Sequence, residues 1–233
     1  MERFLLVLCS LVLQINLSVA SDSLYTKYRN FIANPKAVEN LRTTQIIGVI
    51  VDDKNDSLEF VLHRIFPDTL RLQVRFGETY AITVITSQNG WIVDPMRKIY
   101  EPKELLPDEI LRIRSNILNL FSFLDPNIFE KVSSWDTQSP DTNYISFGLV
   151  NSTNDTIYYY FNKFSYSDIY KVVRFYHSPY TFKIVPKNLF SYSGFKIPRQ
   201  IEVFANGAKR TLMYIVNINI NGEIDRNLFI LKK

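Results

Sequence analysis

The sequence predicts a mainly β protein built on one antiparallel sheet, and three observations indicate this. About eleven or twelve short segments rich in β-branched and aromatic residues follow one another, separated by Gly, Asn, Asp and Pro. No interval has the pattern of a helical crossover between parallel strands. Tyr and Phe are abundant, with 14 and 17 residues, whereas Gly is scarce at 7, which suits a sheet with a large aromatic interior.

Residues 1–20 are predicted to be a cleaved signal peptide. Arg3 gives a basic start, residues 4–13 form an apolar run, and Ser18 and Ala20 are small residues at the two recognition positions of a signal peptidase. A membrane anchor would need ~20 apolar residues. Gln14 interrupts this run too early for that, so we expect export rather than anchoring.

The single cysteine, Cys9, lies inside the predicted signal peptide. A lipid-attachment cysteine normally follows a small residue, but Leu8 precedes Cys9, so we expect an unlipidated mature chain that begins at Ser21. Residues 21–233 then contain no cysteine, which excludes disulfides and thiol catalysis, and they are enough for one domain. The formal net charge of +4 is interspersed along the chain, which gives no basic stripe for nucleic acid.

Two short helices are predicted ahead of the sheet. Apolar residues recur at helical spacing over residues 24–32. Asn34 is then a predicted N-cap with Pro35 at the first helical position, and Ala37 and Val38 would face the interior.

Strands are predicted in two groups, with residues 126–142 irregular between them. The first group is expected at residues 43–51, 58–65, 70–76 and 80–86. The second group is expected at residues 144–150, 156–161, 169–176, 181–185, 200–205, 210–220 and 227–231.

The stretch 80–95 predicts a β-hairpin at the centre of the chain. Asn89-Gly90 is typical of a two-residue type I′ turn, which would pair Thr86 with Val93. Side chains alternate between the faces of a strand, so one large apolar surface would result. Its five residues, which we take as candidate lining of a ligand cavity, are Tyr80, Ile82, Val84, Trp91 and Val93.

A third helix is predicted to begin at Pro107, with Asp108 and Glu109 at its positive end. A helix this apolar must lie against an apolar surface. It either covers the concave side of a curved sheet imperfectly, leaving a pocket suited to an acyl chain, or completes an ordinary core. The stripe that would face such a pocket consists of Ile110, Ile113, Ile117 and Leu120.

No catalytic, nucleotide-binding or cofactor-binding motif is present. His63 and His177 lie on different predicted strands, away from any nucleophile motif. Asp52, Asp53 and Asp56 could bind a cation, but their spacing lacks the glycine and the terminal glutamate of a calcium loop. We therefore interpret this cluster as a solvated turn, and predict a protein that is not an enzyme and holds no cofactor or metal.

Several motifs occur in a fixed order along residues 21–233. They are Arg-Ile-Phe-Pro-Asp at 64–68, a turn with Gly-Trp and then Asp-Pro at 87–95, Leu-Pro-Asp-Glu-Ile at 106–110, and the segments 195–199 and 216–219. This order, after a signal peptide and a short helix pair, resembles the periplasmic outer-membrane lipoprotein-sorting proteins, the LolA-like lipoprotein carriers. The resemblance is greatest to a divergent branch of that family, and the turn with Gly-Trp and Asp-Pro is its most specific motif.

The resemblance implies an unclosed antiparallel β-barrel of about 11 strands, with helices covering its concave face. It implies a monomeric periplasmic carrier whose hydrophobic cavity binds the acyl chains of lipoproteins or lipids. Cargo would come from an inner-membrane donor and move towards an outer-membrane acceptor. An alternative on the same fold is a lipid-sensing module that signals to a protein partner; neither implies a nucleic-acid partner.

The resemblance also implies a role for Arg64. In the family a basic residue just before a proline lies at the cavity and affects ligand release. Arg64 is its nearest counterpart here, although two residues separate it from Pro67.

Overall fold

The computed structural model describes residues 25–114, 133–136, 143–150, 154–164, 169–174 and 178–230, with the backbone alone for 133–136. Its helices are α1 (residues 25–32), α2 (Pro35–Glu39) and α3 (Pro107–Arg114), with 3₁₀ turns at Pro95–Arg97 and Arg226–Phe229. Its strands are β1 (Thr43–Asp52), β2 (Ser57–Ile65), β3 (Thr69–Phe76), β4 (Thr79–Ile85), β5 (Gly90–Asp94), β6 (Ile99–Glu104), β7 (Ser133–Asp136), β8 (Tyr144–Val150), β9 (Thr156–Asn162), β10 (Ile169–Arg174), β11 (Thr181–Tyr192), β12 (Phe195–Ala205) and β13 (Ala208–Ile220).

In the described residues these strands form one antiparallel sheet in the order β6-β5-β4-β3-β2-β1-β13-β12-β11-β10-β9-β8-β7. The two halves of the chain meet where β1 pairs with β13. The edge strands β6 and β7 do not pair with each other, so the sheet is not closed. The predicted fold class, a mainly β protein with one unclosed antiparallel sheet, is confirmed.

The sheet has 13 strands rather than about 11, because two strands were not predicted. β6 lies in a charged segment that contains Pro102, and β7 lies inside residues 126–142, which were predicted to be irregular. One predicted strand, 227–231, is wrong. In its place Asp225 caps the 3₁₀ turn Arg226–Phe229 by accepting a hydrogen bond from the N–H of Asn227 at 2.9 Å.

The cross-strand registers assign every strand residue to one of two faces. The inner face, defined by residues such as Ile46, Leu62 and Phe147, is the one that α1 covers. The ring of Tyr28 in α1 lies 5.7 Å from the ring of Phe147 and 5.0 Å from that of Tyr159. The opposite side of the sheet is called the outer face below.

α2 is fixed against the β11–β12 hairpin. Asn34 caps it by accepting the N–H of Lys36 at 2.9 Å, and Pro35 follows as predicted. The N–H of Asn34 donates to the carbonyl of Gly194 at 2.8 Å. Gly194 has φ +83°, and a Cβ there would lie 2.7 Å from that of Ala37, so only glycine allows α2 to pack this closely. On the far side Asn221 donates to the carbonyl of Asn40 at 3.0 Å.

Candidate functional site

The central hairpin has a different turn from the predicted one. Ile85 pairs with Gly90, Val84 with Trp91 and Ile82 with Val93, so the loop comprises residues 86–89. Thr86 closes this loop: its N–H donates to the carbonyl of Asn89 at 2.8 Å, and its hydroxyl lies 2.8 Å from the side-chain oxygen of Asn89. The predicted type I′ turn at Asn89-Gly90 is wrong, because the Thr86 side chain supplies a competing set of local hydrogen bonds.

Gly90 serves close packing rather than the turn. Its carbonyl accepts the N–H of Leu105 at 2.9 Å. A Cβ at this position would lie 3.2 Å from Cδ1 of Leu105 and 3.3 Å from Cγ1 of Ile110. The segment that leads into α3 therefore crosses directly over β5 on the inner face.

The apolar surface predicted on the hairpin exists, but it lies on the outer face. The true register differs from the predicted one by an even number of residues, so the alternation is unchanged. Leu72 pairs with both Leu62 and Thr83, which assigns Thr83 and Ile85 to the inner face. The structure therefore does not bring the following five residues together with Arg64 and α3: Tyr80, Ile82, Val84, Trp91 and Val93.

A row of polar side chains adjoins that surface on the outer face. Gln45, His63, Arg71 and Val84 are successive cross-strand neighbours, and the 3₁₀ turn that contains the buried Phe229 lies against β3. The side-chain amide of Gln45 donates to Nε2 of His63 at 2.9 Å, which leaves the proton of His63 on Nδ1. Nδ1 is buried without a hydrogen-bond partner. Burial, and secondarily the charge of Arg71, hold the pKa of His63 below its usual value.

The inner face is unevenly covered. On β8, β9 and β12 most of its apolar residues are buried, among them Phe147, Phe161 and Ile197. From β1 to β5, several apolar inner-face residues are only partly buried. We call these residues the apolar strip: Ile50, Leu72, Val74 and Ile92.

α3 crosses the opening between the two ends of the sheet. It begins at Pro107 as predicted, and Glu109 reaches back to accept the N–H of Leu106 at 2.8 Å. Ile110 meets β5 near one edge, as described above. Nε of Arg112 lies 3.4 Å from Oδ2 of the buried Asp155, which precedes β9 near the other edge.

The remaining predicted α3 residues divide into two groups. Ile113 packs against the main core and is partly buried. Arg114 follows it and donates to the carbonyls of Thr86 at 2.6 Å and Asp68 at 3.2 Å, which fastens the helix to two turns of the sheet. Ile117 and Leu120 lie outside the described residues.

Arg64 is on the inner face, beside Thr44 and Leu70 in neighbouring strands. It is 1% exposed, donates to the carbonyl of Pro67 at 2.9 Å, and places its guanidinium carbon 4.3 Å from the centre of the Phe66 ring. Arg64 therefore lies on the same face as the apolar strip, and its guanidinium group is hydrogen-bonded to the β2–β3 turn.

Sequence reasoning missed Lys171, which also lies on the inner face. Phe147, Tyr159, Lys171, Ile184 and Val203 are successive cross-strand neighbours, and the other four are buried. Burial lowers the pKa of Lys171 to about 8. The sequence signal was available, because Lys171 interrupts the apolar alternation of β10.

The remaining features of the described residues do not indicate a further ligand-binding or metal-binding site. A cleft of about 360 Å³ beside α2 has a largely polar lining that includes Asn34, Asn40 and Asn221, which does not suit an acyl chain. The carboxylate of Asp52 accepts the N–H groups of Lys54 and Asp56 at 2.8 and 2.9 Å, as expected of a structural turn. Within the described ranges no group of three His, Cys, Asp or Glu side chains could hold a metal. No helix in those ranges combines the length and hydrophobicity needed to cross a membrane.

Comparison with known proteins decides the fold. No family model matches the chain, and no curated protein does. A LolA superfamily protein from Nitrosomonas europaea superposes with a TM-score of 0.60 at 9% identity, covering 91% of this chain and 97% of that one. The chain has a LolA-like fold.

A second solved structure has the same architecture. A DUF1329 family protein from Desulfovibrio piger superposes with a TM-score of 0.61 at 9% identity, covering 93% of this chain and 99% of that one. At such identity the likeness shows a shared backbone fold and says nothing about the side chains.

Proposed function

We propose that this protein is a periplasmic carrier that binds the acyl chains of lipoproteins or lipids against its inner face. The apolar strip is the observation that carries the proposal, since its residues are incompletely covered although they face the helices. The LolA-like fold supports the same function. We infer a monomer that is exported by its signal peptide and works without catalysis.

The strip offers a physical reason for binding. Burying apolar surface contributes ~25 cal/mol per Å², or ~0.8 kcal/mol for each methylene group. An acyl chain that buried about ten methylenes would gain ~8 kcal/mol before the entropic costs of association are subtracted. With the lowest association cost of ~4 kcal/mol, up to ~4 kcal/mol remains, which corresponds to a Kd of about 1 mM. Such binding is readily reversible, which a carrier needs in order to release its cargo.

α3 also supports the proposal, because its movement would admit an acyl chain to the inner face. It crosses the opening of the sheet, and its Ile110 and Ile113 lie on the side of the inner face. Movement of α3 would expose the strip without breaking any strand pairing. Cargo could then enter from an inner-membrane donor and leave to an outer-membrane acceptor through one opening.

Binding and transfer can be tested with two variants of one strand. Leu72→Glu places a carboxylate on the apolar strip, whereas Gln73→Glu places the same charge on the outer face of β3. We expect the purified periplasmic form to bind a fluorescent fatty acid, with affinity reduced at least about tenfold by Leu72→Glu and unchanged by Gln73→Glu, because burying an uncompensated charge opposes acyl binding.

A vesicle-to-vesicle transfer assay with a fluorescent phospholipid then separates the two functions on this fold. Transfer faster than the spontaneous rate supports a carrier. Binding without transfer would favour the lipid-sensing alternative. No binding of either probe by the wild type would contradict both.

A further inference from the structure

Lys171 is an ammonium group set among apolar neighbours. Its cross-strand neighbours Tyr159 and Ile184 are 3% and 6% exposed, and Val173, the next inner-face residue of β10, is 5% exposed. The side chain of Lys171 makes no hydrogen bond or ion pair in the described structure. A largely desolvated charge without a counter-ion is unfavourable, so an anion that paired with it would be stabilising.

The ammonium group of Lys171 is largely desolvated, yet the residue reaches solvent. Enough protein surrounds the ammonium group to lower its pKa to about 8 by desolvation. The residue as a whole nevertheless keeps partial solvent exposure, unlike Tyr159 and Ile184. A group that is largely desolvated yet reachable is suited to pairing with an anion that enters with a ligand.

The position of Lys171 also fits an acyl ligand in length. Between β10 and β1 the sheet has four strand spacings of ~4.8 Å, or about 19 Å. β1 carries Ile50 of the apolar strip. An acyl chain in a bilayer spans ~15 Å, half of the hydrocarbon core, so the tail of a ligand whose head meets Lys171 would end within about one strand spacing of Ile50.

We propose that Lys171 is the binding site for the anionic group of an acyl ligand, a carboxylate or a phosphate. This inference rests on the proposed function and narrows it to a class of ligand. An anionic lipid gains a charge-assisted hydrogen bond to Lys171, whereas a neutral acyl ester leaves the ammonium unpaired. The inner face therefore selects fatty acids or anionic phospholipids over neutral acyl esters.

The test compares dansylaminoundecanoic acid with its methyl ester, which lacks the charge and carries one additional methyl group. Wild-type protein is expected to bind the acid at least about tenfold more tightly, as for a hydrogen bond to a charged group. Lys171→Met should remove this preference and Lys171→Arg should keep it. Lys183→Met is the matched control, since Lys183 on β11 is exposed and its ammonium lies over the Tyr170 ring at 4.3 Å.

Competition with the bound dansyl acid identifies the source of the anion. Displacement by oleate but not by lysophosphatidylglycerol assigns a carboxylate, and displacement by lysophosphatidylglycerol but not by lysophosphatidylcholine assigns an anionic phospholipid. Either result supports the proposal.

Failure of this inference is distinguishable from failure of the carrier function. Equal binding of acid and ester by the wild type would overturn the role of Lys171 while leaving the acyl site intact. The same conclusion would follow if Lys171→Met kept the preference for the acid. Binding of neither probe would overturn the carrier function itself. Should Lys171→Met fail to fold, the role of Lys171 is still tested by the wild-type comparison of acid and ester and by the Lys171→Arg variant.

Discussion

Ile113 of α3 should behave as a ligand-contacting residue rather than as a core residue, and truncation to alanine tests this. Ile113 is partly buried and packs against the main core from the helix that crosses the opening. The matched control is Ile197 in β12. It has the same side chain, belongs to the same core and is 1% exposed.

The two substitutions should have opposite consequences. Ile→Ala at a close-packed site costs ~2–5 kcal/mol of the free energy of unfolding, because a cavity remains. We expect a value in that range for Ile197→Ala and a loss of about 1 kcal/mol for Ile113→Ala, whose surroundings are less complete. In the acyl complex, Ile113→Ala removes up to about 2 kcal/mol of apolar contact, which weakens binding by up to about thirtyfold.

Urea unfolding and a fluorescent fatty-acid titration on both variants give the two quantities. The reasoning is refuted if Ile113→Ala destabilises as much as Ile197→Ala while the affinity of the folded fraction stays unchanged. α3 would then complete an ordinary core, the second interpretation that the sequence left open.

Four further predictions follow from the described contacts and from the signal-peptide pattern. The folded chain holds His63 neutral, with its pKa below 6.5. The contribution of His63 to the free energy of unfolding should therefore be complete above pH 6.5 and fall as the pH drops below it, by at most ~1.4 kcal/mol per pH unit. His63→Gln should flatten this slope in urea unfolding between pH 6.5 and about pH 5, and an unchanged slope would assign it to other groups. Arg64→Leu should slow the release of a fluorescent lipid, because an apolar side chain replaces a charge at the cavity; unchanged release would limit Arg64 to holding the β2–β3 turn. Arg112→Met removes the 3.4 Å contact with Asp155 and should speed hydrogen exchange of the α3 amides but not those of β1; equal exchange would mean that this contact does not hold α3. N-terminal sequencing of the periplasmic protein should begin at Ser21, and a lipid on Cys9 would contradict the soluble carrier.

Most of the sheet could be predicted because its strands carry strong local patterns. The β8 bounds agree with the predicted ones, and most other strands differ by one or two residues at their ends. The exceptions are β11 and β12, which extend seven and five residues beyond their predicted bounds. β6 could not be found in the same way, since exposed Glu101, Lys103 and Glu104 show no alternation. Its strand conformation comes from pairing with β5, a tertiary effect that local propensity does not report.

The site was harder to predict because both faces of β4 are apolar. The hairpin alone cannot tell which face is inner. β3 resolves the question, since Leu70, Leu72 and Val74 alternate with polar residues, and its pairing with β4 then assigns the inner face. Reading two adjacent strands together would have placed Tyr80, Ile82 and Val84 on the outer face and pointed to the apolar strip.

The unclosed sheet gives this fold a freedom that closed barrels lack. In a closed barrel the number of strands and their stagger together set the diameter, so adding a strand changes the whole structure. Here β6 and β7 extend the two edges and leave the pairing of β1 with β13 unaffected. Evolution could thus widen or narrow the concavity one strand at a time. The price of two open edges is exposure to pairing with other chains, and on β6 the proline and the charged residues of Glu101–Glu104 oppose such pairing.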